Sequence, residues 1–397
     1  MRRKLVKITI ISLITIIGLF LGIAGTINIA RAVQQPEDTY EYLTGDAKKV
    51  ILFIGDGMGE NHISNTELYL DKKLFFTSFD KNGYMTTYSK NTYWPTDSAA
   101  AATAMATGNK VYNTSVAYEM GENITSISEI AKENGLGVGI ITTDTLAGAT
   151  PSAFSAHSSD RSDDIQIIES QLENNIDLYL GAGRERYSEY KNEWENKGYS
   201  FVDSYKLLLT KNYSGKIIGS FDEVSYSTKD DKVTLSILTT YAIEYFERNY
   251  PDGYFLMIEG AHIDKMNHQN NILDMMNFMV DFDNSIKIAY DKFHDNKDVC
   301  LIVTADHESG GLKLASTKEE LTDELYTTDG HTHDDVRYFI YQKDNSDIYK
   351  ISDIIDNTNI FLINTKLLNL KYEDKEKNAL TKAFFYFILQ LILLVFL

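Results

Sequence analysis

"KVILFIGDG", Lys49 to Gly57, decides how the rest of the chain is read. Val50 to Ile54 are five apolar residues in a row, the pattern of a strand buried on both faces, and the run ends on Asp56 between two glycines. Three further runs repeat the pattern: "GVGIITTD" ends at Asp144, "GYFLMIEG" reaches Glu259, and "DVCLIVTADH" ends at Asp306 and His307. "IDLYLGAG" is another strand-like run. Helical patterns lie between them. "ITSISEIAKENG" closes on Gly135, a suitable C-cap, and "DDIQIIESQLENN" and "NILDMMNFMVDFDNSIKIAYDKF" carry apolar residues at helical spacing. Alternating strands and helices predict an α/β fold, a three-layer sandwich with a large, mostly parallel central sheet flanked by helices. Sites in such sheets form at the carboxyl ends of the strands, where these acids stand. Residues 185 to 235, rich in Tyr, Lys and Ser, read as a peripheral elaboration, and no internal repeat is present.

The composition narrows the function. The chain has 397 residues, with 38 Lys and Arg against 57 Asp and Glu, a net charge of −19. That balance excludes a nucleic-acid-binding face and suits carboxylate-rich metal sites. Cys300 is the one cysteine, so no intrachain disulfide, cysteine zinc site or N-terminal lipoprotein anchor is available. A metal must be held by Asp, Glu, His and hydroxyl groups. The ends of the chain differ from its body. Basic "MRRKLVK" precedes 23 uncharged residues, Ile8 to Ala30, which is long enough for a membrane anchor. A cleaved signal peptide is the alternative, and either reading puts the body outside the cytoplasm, at the cell membrane or secreted. The expected organisation is an anchor or signal at 1–30, a linker at 31–47 and a catalytic domain at 48–370. A charged linker at 371–382 and a hydrophobic tail at 383–397 follow.

Four stretches carry groups able to do chemistry. "MIEGAHIDKMNHQ" holds Glu259, and it places Asp264 and His268 four apart, on one face of a helix. "VTADHESGG" sets Asp306 and His307 together at a strand tip, and "DGHTHDDV" offers His331 and His333 in a loop. "WPTDSAAAATAMATG", Trp94 to Gly108, puts an Asp-Ser pair at the mouth of an alanine-rich helix. Ser98 there is either an N-cap or a nucleophile. Each stretch alone fits a turn or a cap. Together they suit zinc held by nitrogen and oxygen, beside an oxygen-only site suited to magnesium. Paired divalent cations serve in-line displacement at phosphorus.

"FIGDGMG", "TDSAAAATA", "ATPSAFSAHSSDR", "IEGAHIDKMNH", "VTADHESGG" and "GHT" occur in this order, and by them the sequence resembles the alkaline phosphatases. The resemblance spans residues 48–160 and 250–340. It implies hydrolysis of phosphate monoesters by two zinc ions and one magnesium ion. Ser98 resembles the nucleophile that becomes phosphoserine. Asp264, His268 and His331 match the ligands of the first zinc, with His331 preferred to His333 because the pattern is Gly-His-Thr. Asp56, Asp306 and His307 match those of the second, and Asp56, Thr150 and Glu259 those of magnesium. Arg161 matches the arginine that holds phosphate oxygens, and Lys265 and His262 line the pocket. Dimers are usual in the family, which makes a homodimer the expected assembly.

One position departs from the pattern. Gly148 stands where the family has Asp or His, a residue that supports water around the third metal and neighbours the lysine matching Lys265. Asp144 or a neighbour is the candidate substitute, and the third metal is the one the departure affects. Two other functions use similar parts. A phosphodiesterase or another ester hydrolase of the superfamily is one, although the sulfatase context Cys/Ser-x-Pro-x-Arg is not found at Ser98. A non-catalytic metal- or phosphate-binding relative is the other.

Overall fold

The structure, a computed structural model, describes residues 46–91, 93–229 and 232–372, together with Tyr40, Tyr42 and Leu43. The N-terminal segment 1–30, most of the first linker, all but residues 371 and 372 of the charged linker, and the C-terminal tail lie outside the described residues. No helix among the described residues is long and apolar enough to cross a membrane.

Ten described strands form the central sheet. In chain order they are β1 (Lys49–Ile54), β2 (Lys81–Thr86), β3 (Gly137–Thr145), β4 (Leu178–Ala182) and β5 (Ser200–Val202), then β6 (Ile217–Phe221), β7 (Tyr254–Glu259), β8 (Val299–Thr304), β9 (Val336–Gln342) and β10 (Ile354–Asp356). Their order across the sheet is β10-β2-β9-β8-β1-β7-β3-β4-β6-β5. All the pairings are parallel except those that β9 makes with β8 and β2. Every residue of β1, β7 and β8 is buried, as expected for central strands covered on both faces. The sheet is therefore the mostly parallel one that the strand-helix alternation predicts.

Register carries the functional consequence. Ile54 of β1 is level with Glu259 of β7 and with Thr304 of β8, and Glu259 is level with Thr142 of β3. Asp56 and Asp306 each follow two residues after those levels. Four strands therefore deliver their acids and hydroxyls to one height at one edge of the sheet.

The predicted helices form with small boundary shifts. "ITSISEIAKENG" is helical over Ile127–Glu133, with Ser126 as N-cap in a capping box with Glu129 and Gly135 at φ +80°. The second helix spans Asp164–Glu173 and the third Ile272–Phe293. The segment 185–235 differs from expectation. It supplies β5 and β6, eight residues that extend the sheet beyond β4 at its edge, so this part of it belongs to the central layer. These strands are three and five residues long, too short to show a period among the surrounding lysines and tyrosines.

The sheet is fixed to the 272–293 helix by aromatic edges. Phe282 is fully buried, and its ring lies 6.2 Å from both Phe53 of β1 and Phe76, in edge-to-face geometry. A Cβ on Gly260, just after β7, would come within 2.9 Å of the same ring. Replacing Phe282 with Ala removes this fully buried ring and its edge contacts to Phe53 and Phe76. The expected loss is about 3–5 kcal/mol, measured as a shift in denaturant midpoint.

Candidate active site

Helix α1, Ser98–Thr107, begins at the mouth of the site. Its N-cap is Asp97, whose Oδ1 accepts from the Ala100 N–H at 2.9 Å. Capping falls to Asp97, and the Ser98 hydroxyl is left for other work. The other Asp97 oxygen accepts from the Thr114 N–H at 3.0 Å and from Arg161 Nη1 at 3.3 Å. One carboxylate thus ties together the helix start, the 114 loop and the guanidinium. The alanines of α1 are buried, which lets the helix pack closely.

Ser98 Oγ lies 3.2 Å from His307 Nε2. The same nitrogen is 3.1 Å from Asp306 Oδ2 and 3.5 Å from Asp56 Oδ1. The His307 and His331 rings stack at 3.6 Å. His331 Nε2 is 3.7 Å from Asp264 Oδ1 and 3.2 Å from His268 Nε2, and His268 Nε2 is 3.2 Å from Asp264 Oδ2. Helix α2, His262–His268, sets Asp264 and His268 on one face, as their spacing predicts. The centre is continuous from Ser98 through His307 to His268.

Hydrogen bonds behind the rings fix which nitrogens face inward. A backbone carbonyl only accepts, so the nitrogen facing it carries the proton. His331 Nδ1 is 2.7 Å from the Thr96 carbonyl, and His268 Nδ1 bonds the Asp329 carbonyl. The Ser309 hydroxyl donates to Asp264 Oδ1, and its oxygen lies 3.3 Å from His307 Nδ1. With Nδ1–H outward on each ring, all three Nε2 atoms converge on the carboxylates. Gly57 permits this convergence. It adopts φ +70°, and a Cβ there would come within 2.8 Å of Asp264 Oδ1, while its N–H donates to Asp306 Oδ1 at 3.0 Å.

The charges explain what the centre accepts. Burial, then the Asp306, Asp264 and Glu259 charges, push the Asp56 carboxyl well above its usual range. Burial lifts Asp306 to about 7, with the Asp264 charge adding to it. Burial also lifts Glu259 to about 8, against a hydrogen bond from Thr142 and with help from the Asp144 and Asp306 charges. Burial opposes ionisation of Asp264 as well, but the His268 hydrogen bond and the three histidine charges outweigh it and hold that carboxyl low. Burial keeps the His307 imidazole neutral. Asp56 Oδ1, Asp306 Oδ2 and Thr150 Oγ1 are buried and have no hydrogen bond among the described residues. Lone pairs and acids that face one another without a donor between them fit divalent cations. Two groups have ligand atoms within 4.8 Å of one another: Asp56, Asp306 and His307, and Asp264, His307 and His331. His268 completes the second through its own contacts.

Of the remaining predicted residues, Thr150 is the second residue of the short helix Ala149–Ala153 and is buried, and Glu259 is bound by the Thr142 hydroxyl. Lys265 pairs with Asp144. The His262 ring stacks on Phe278 at 4.7 Å, and burial lowers its pKa to about 4. The sequence did not reveal Thr96, Thr142, Ser309 or Asp329. Two of these act through carbonyls, which any residue supplies. His62, which reads from the sequence as a surface or cap histidine, is a cap but is fully buried, with Nδ1 accepting from the Gly59 N–H at 3.1 Å.

A three-layer α/β fold with nitrogen and oxygen ligands gathered at its strand ends defines the hydrolases that work through divalent cations. A sequence model of the alkaline phosphatase family, described as "Alkaline phosphatase", matches residues 47–383. Alkaline phosphatase 3 of Bacillus subtilis is 31% identical over 340 residues, covering 79% of this chain and 71% of its own. Alkaline phosphatase 4 of the same organism is 32% identical over 345 residues, covering 81% and 72%. The solved alkaline phosphatase of the Antarctic bacterium TAB5 superposes with a TM-score of 0.71 at 26% identity, covering 83% of this chain and 100% of its own. The chain belongs to the alkaline phosphatase family, and the protein is a metal-dependent phosphatase.

Without metal, protons must fill this centre. Glu259 and Asp306 keep theirs to about 8 and about 7 in the native state, against about 4 in the unfolded chain. Between those values the native state binds more protons, so stability falls as pH rises. The His268–Asp264 pair acts in the same direction. His268 is raised to about 9, first by its hydrogen bond to Asp264, so its contribution is full below the unfolded value and is lost as pH rises through about 9. Above the unfolded histidine range, where the neutral His62, His262, His307 and His331 no longer add the opposite slope, chelator-stripped protein is expected to lose melting temperature from about pH 7 to about pH 9, and zinc-loaded protein to lose little. Calorimetry across that range checks this, and a stripped protein that gains stability with pH contradicts it.

Proposed function

We propose that the protein hydrolyses phosphate monoesters through a phosphoserine formed on Ser98, with two zinc ions and one magnesium ion as cofactors. The observation that carries this reading is Ser98 Oγ at 3.2 Å from His307 Nε2, at the point where Asp56 and Asp306 meet. Asp264, His268 and His331 would hold one zinc, and Asp56, Asp306 and His307 the other. Asp56, Thr150 and Glu259, an oxygen-only set, would hold magnesium. Divalent cations there neutralise phosphate charge and lower the proton affinity of an attacking hydroxyl or water.

The chain's own groups do the rest. Asp97 caps α1 in place of Ser98, so the serine hydroxyl is free to attack in line. The positive end of α1 and the Arg161 guanidinium face the incoming phosphate, and Asp97 holds that guanidinium in position. Neutral His307, with Nδ1–H turned toward Ser309, keeps its lone pair in the centre. The solved TAB5 enzyme is also known in variants "with Mg bound in the M3 site", which supports a third cation position in this fold. The basic start and apolar run of residues 1–30 support a body held at the outer face of the cytoplasmic membrane or released after cleavage.

Ser98→Ala is expected to lower kcat for p-nitrophenyl phosphate by at least about a thousandfold. Zinc content, measured by elemental analysis of the same preparation, is expected to stay at the wild-type level. A chelator should abolish wild-type turnover and added zinc should restore it. A serine variant as active as the parent, or an enzyme indifferent to chelation, overturns the reading.

A further inference from the structure

Arg161 and His157 stand at the two ends of one segment, which runs antiparallel to residues 114–117. The Arg161 N–H donates to the Thr114 carbonyl at 2.8 Å, and Val116 and Ser158 exchange both backbone bonds at 2.9 Å. At the far end His157 Nδ1 lies 2.9 Å from the Ala117 carbonyl, and Nε2 lies 3.1 Å from Glu129 Oε1. The near end is tied to the site. The Thr114 N–H and Arg161 Nη1 both donate to Asp97 Oδ2, beside Ser98.

The 114–117 loop has to be held. Thr114 and Ala117 adopt φ of +75° and +41°, the left-handed region that residues with a Cβ disfavour, a β-branched one most of all. Such backbone persists only where its surroundings fix it. Asp97 and Arg161 fix Thr114. Ala117 is fixed on both sides: its N–H donates to Thr103 Oγ1 of α1 at 2.9 Å, and its carbonyl accepts from the Ile124 N–H at 2.8 Å and from His157.

The acceptors around His157 decide its charge. A carbonyl and a carboxylate only accept, so both ring nitrogens carry protons and the ring is an imidazolium. Burial opposes that charge, but the Glu129 hydrogen bond and charge, with the Ala117 carbonyl, outweigh it and raise the His157 pKa above the usual histidine value. Burial likewise opposes ionisation of Glu129, and the contact with His157 outweighs it and lowers that carboxyl. Glu129 is the one charged group that bears on the ring among the described residues. It is itself held, because Oε2 accepts from the Ser126 N–H at 2.7 Å in the capping box of the helix Ile127–Glu133.

We propose that His157 is a positioning residue for Arg161: spanning Glu129 and the Ala117 carbonyl, it locks the 114–117 loop against residues 157–161 and so sets the guanidinium for phosphate. This rests on the phosphatase site proposed above. A neutral ring has one N–H for two acceptors, so raising the pH releases either the carboxylate or the carbonyl. A guanidinium on a loosened segment is ordered only when phosphate arrives, which weakens binding.

The test uses the zinc-loaded full chain. Inorganic phosphate affinity is measured by titration calorimetry from about pH 6 to about pH 9, with kcat and KM for p-nitrophenyl phosphate. His157→Leu, which removes both bonds, is expected to raise the phosphate Kd and KM about three- to tenfold, with kcat changing less, and to add less than about twofold in Arg161→Ala. Glu129→Gln keeps the capping box, and its amide donates to Nε2 of a neutral ring, so its Kd should stay within about twofold of the parent at about pH 6. The ratio of parent to Glu129→Gln Kd cancels the titrations the two proteins share, and it should rise about threefold or more by about pH 9. An equal His157→Leu penalty with and without Arg161, or a ratio that stays flat, overturns the inference while the phosphatase site stands. If His157→Leu does not fold, the ratio decides by itself. Failure of the zinc-loaded parent to bind phosphate overturns both.

Discussion

Three imidazoles turn their Nε2 atoms toward buried carboxylates, and most of the site follows from that convergence. Each ring is held from behind, by the Thr96 carbonyl, the Asp329 carbonyl or the Ser309 hydroxyl, which keeps its Nε2 turned inward. Lone pairs facing acids at 3.1–3.7 Å repel unless positive charge lies between them. The centre is therefore built for cations, and protons are its substitute. Gly57 exists to let Asp264 approach, and the level ends of β1, β7 and β8 bring the acids to one height.

The serine depends on the same constraint. Its neighbour Asp97 performs three tasks with two oxygens: it caps α1, fastens the 114 loop and holds Arg161. That leaves Ser98 at the helix start, buried, with its hydroxyl against His307. Ser98, the start of α1 and the Arg161 guanidinium are thus positioned by one carboxylate outside the acid–imidazole cluster.

Much of this was legible in the sequence, for definite reasons. The central strands are buried on both faces and therefore read as unbroken apolar runs. The acids terminate those runs, so a fold rule sufficed to gather them. The alanine run marked a closely packed helix, and the four-residue spacing of Asp264 and His268 marked one helix face. What was not legible is equally physical. β5 and β6, inside a segment that reads as a peripheral elaboration, are too short to show a period. Thr96 and Asp329 contribute carbonyls, which carry no side-chain signature.

The most direct measurement traps the enzyme during turnover with acid and locates phosphate by peptide mass spectrometry. Zinc-loaded protein quenched with substrate should carry one phosphate on Ser98, in the peptide that begins α1, and chelated protein should carry none. Phosphate absent from Ser98 while turnover proceeds, or present equally without metal, would contradict the account.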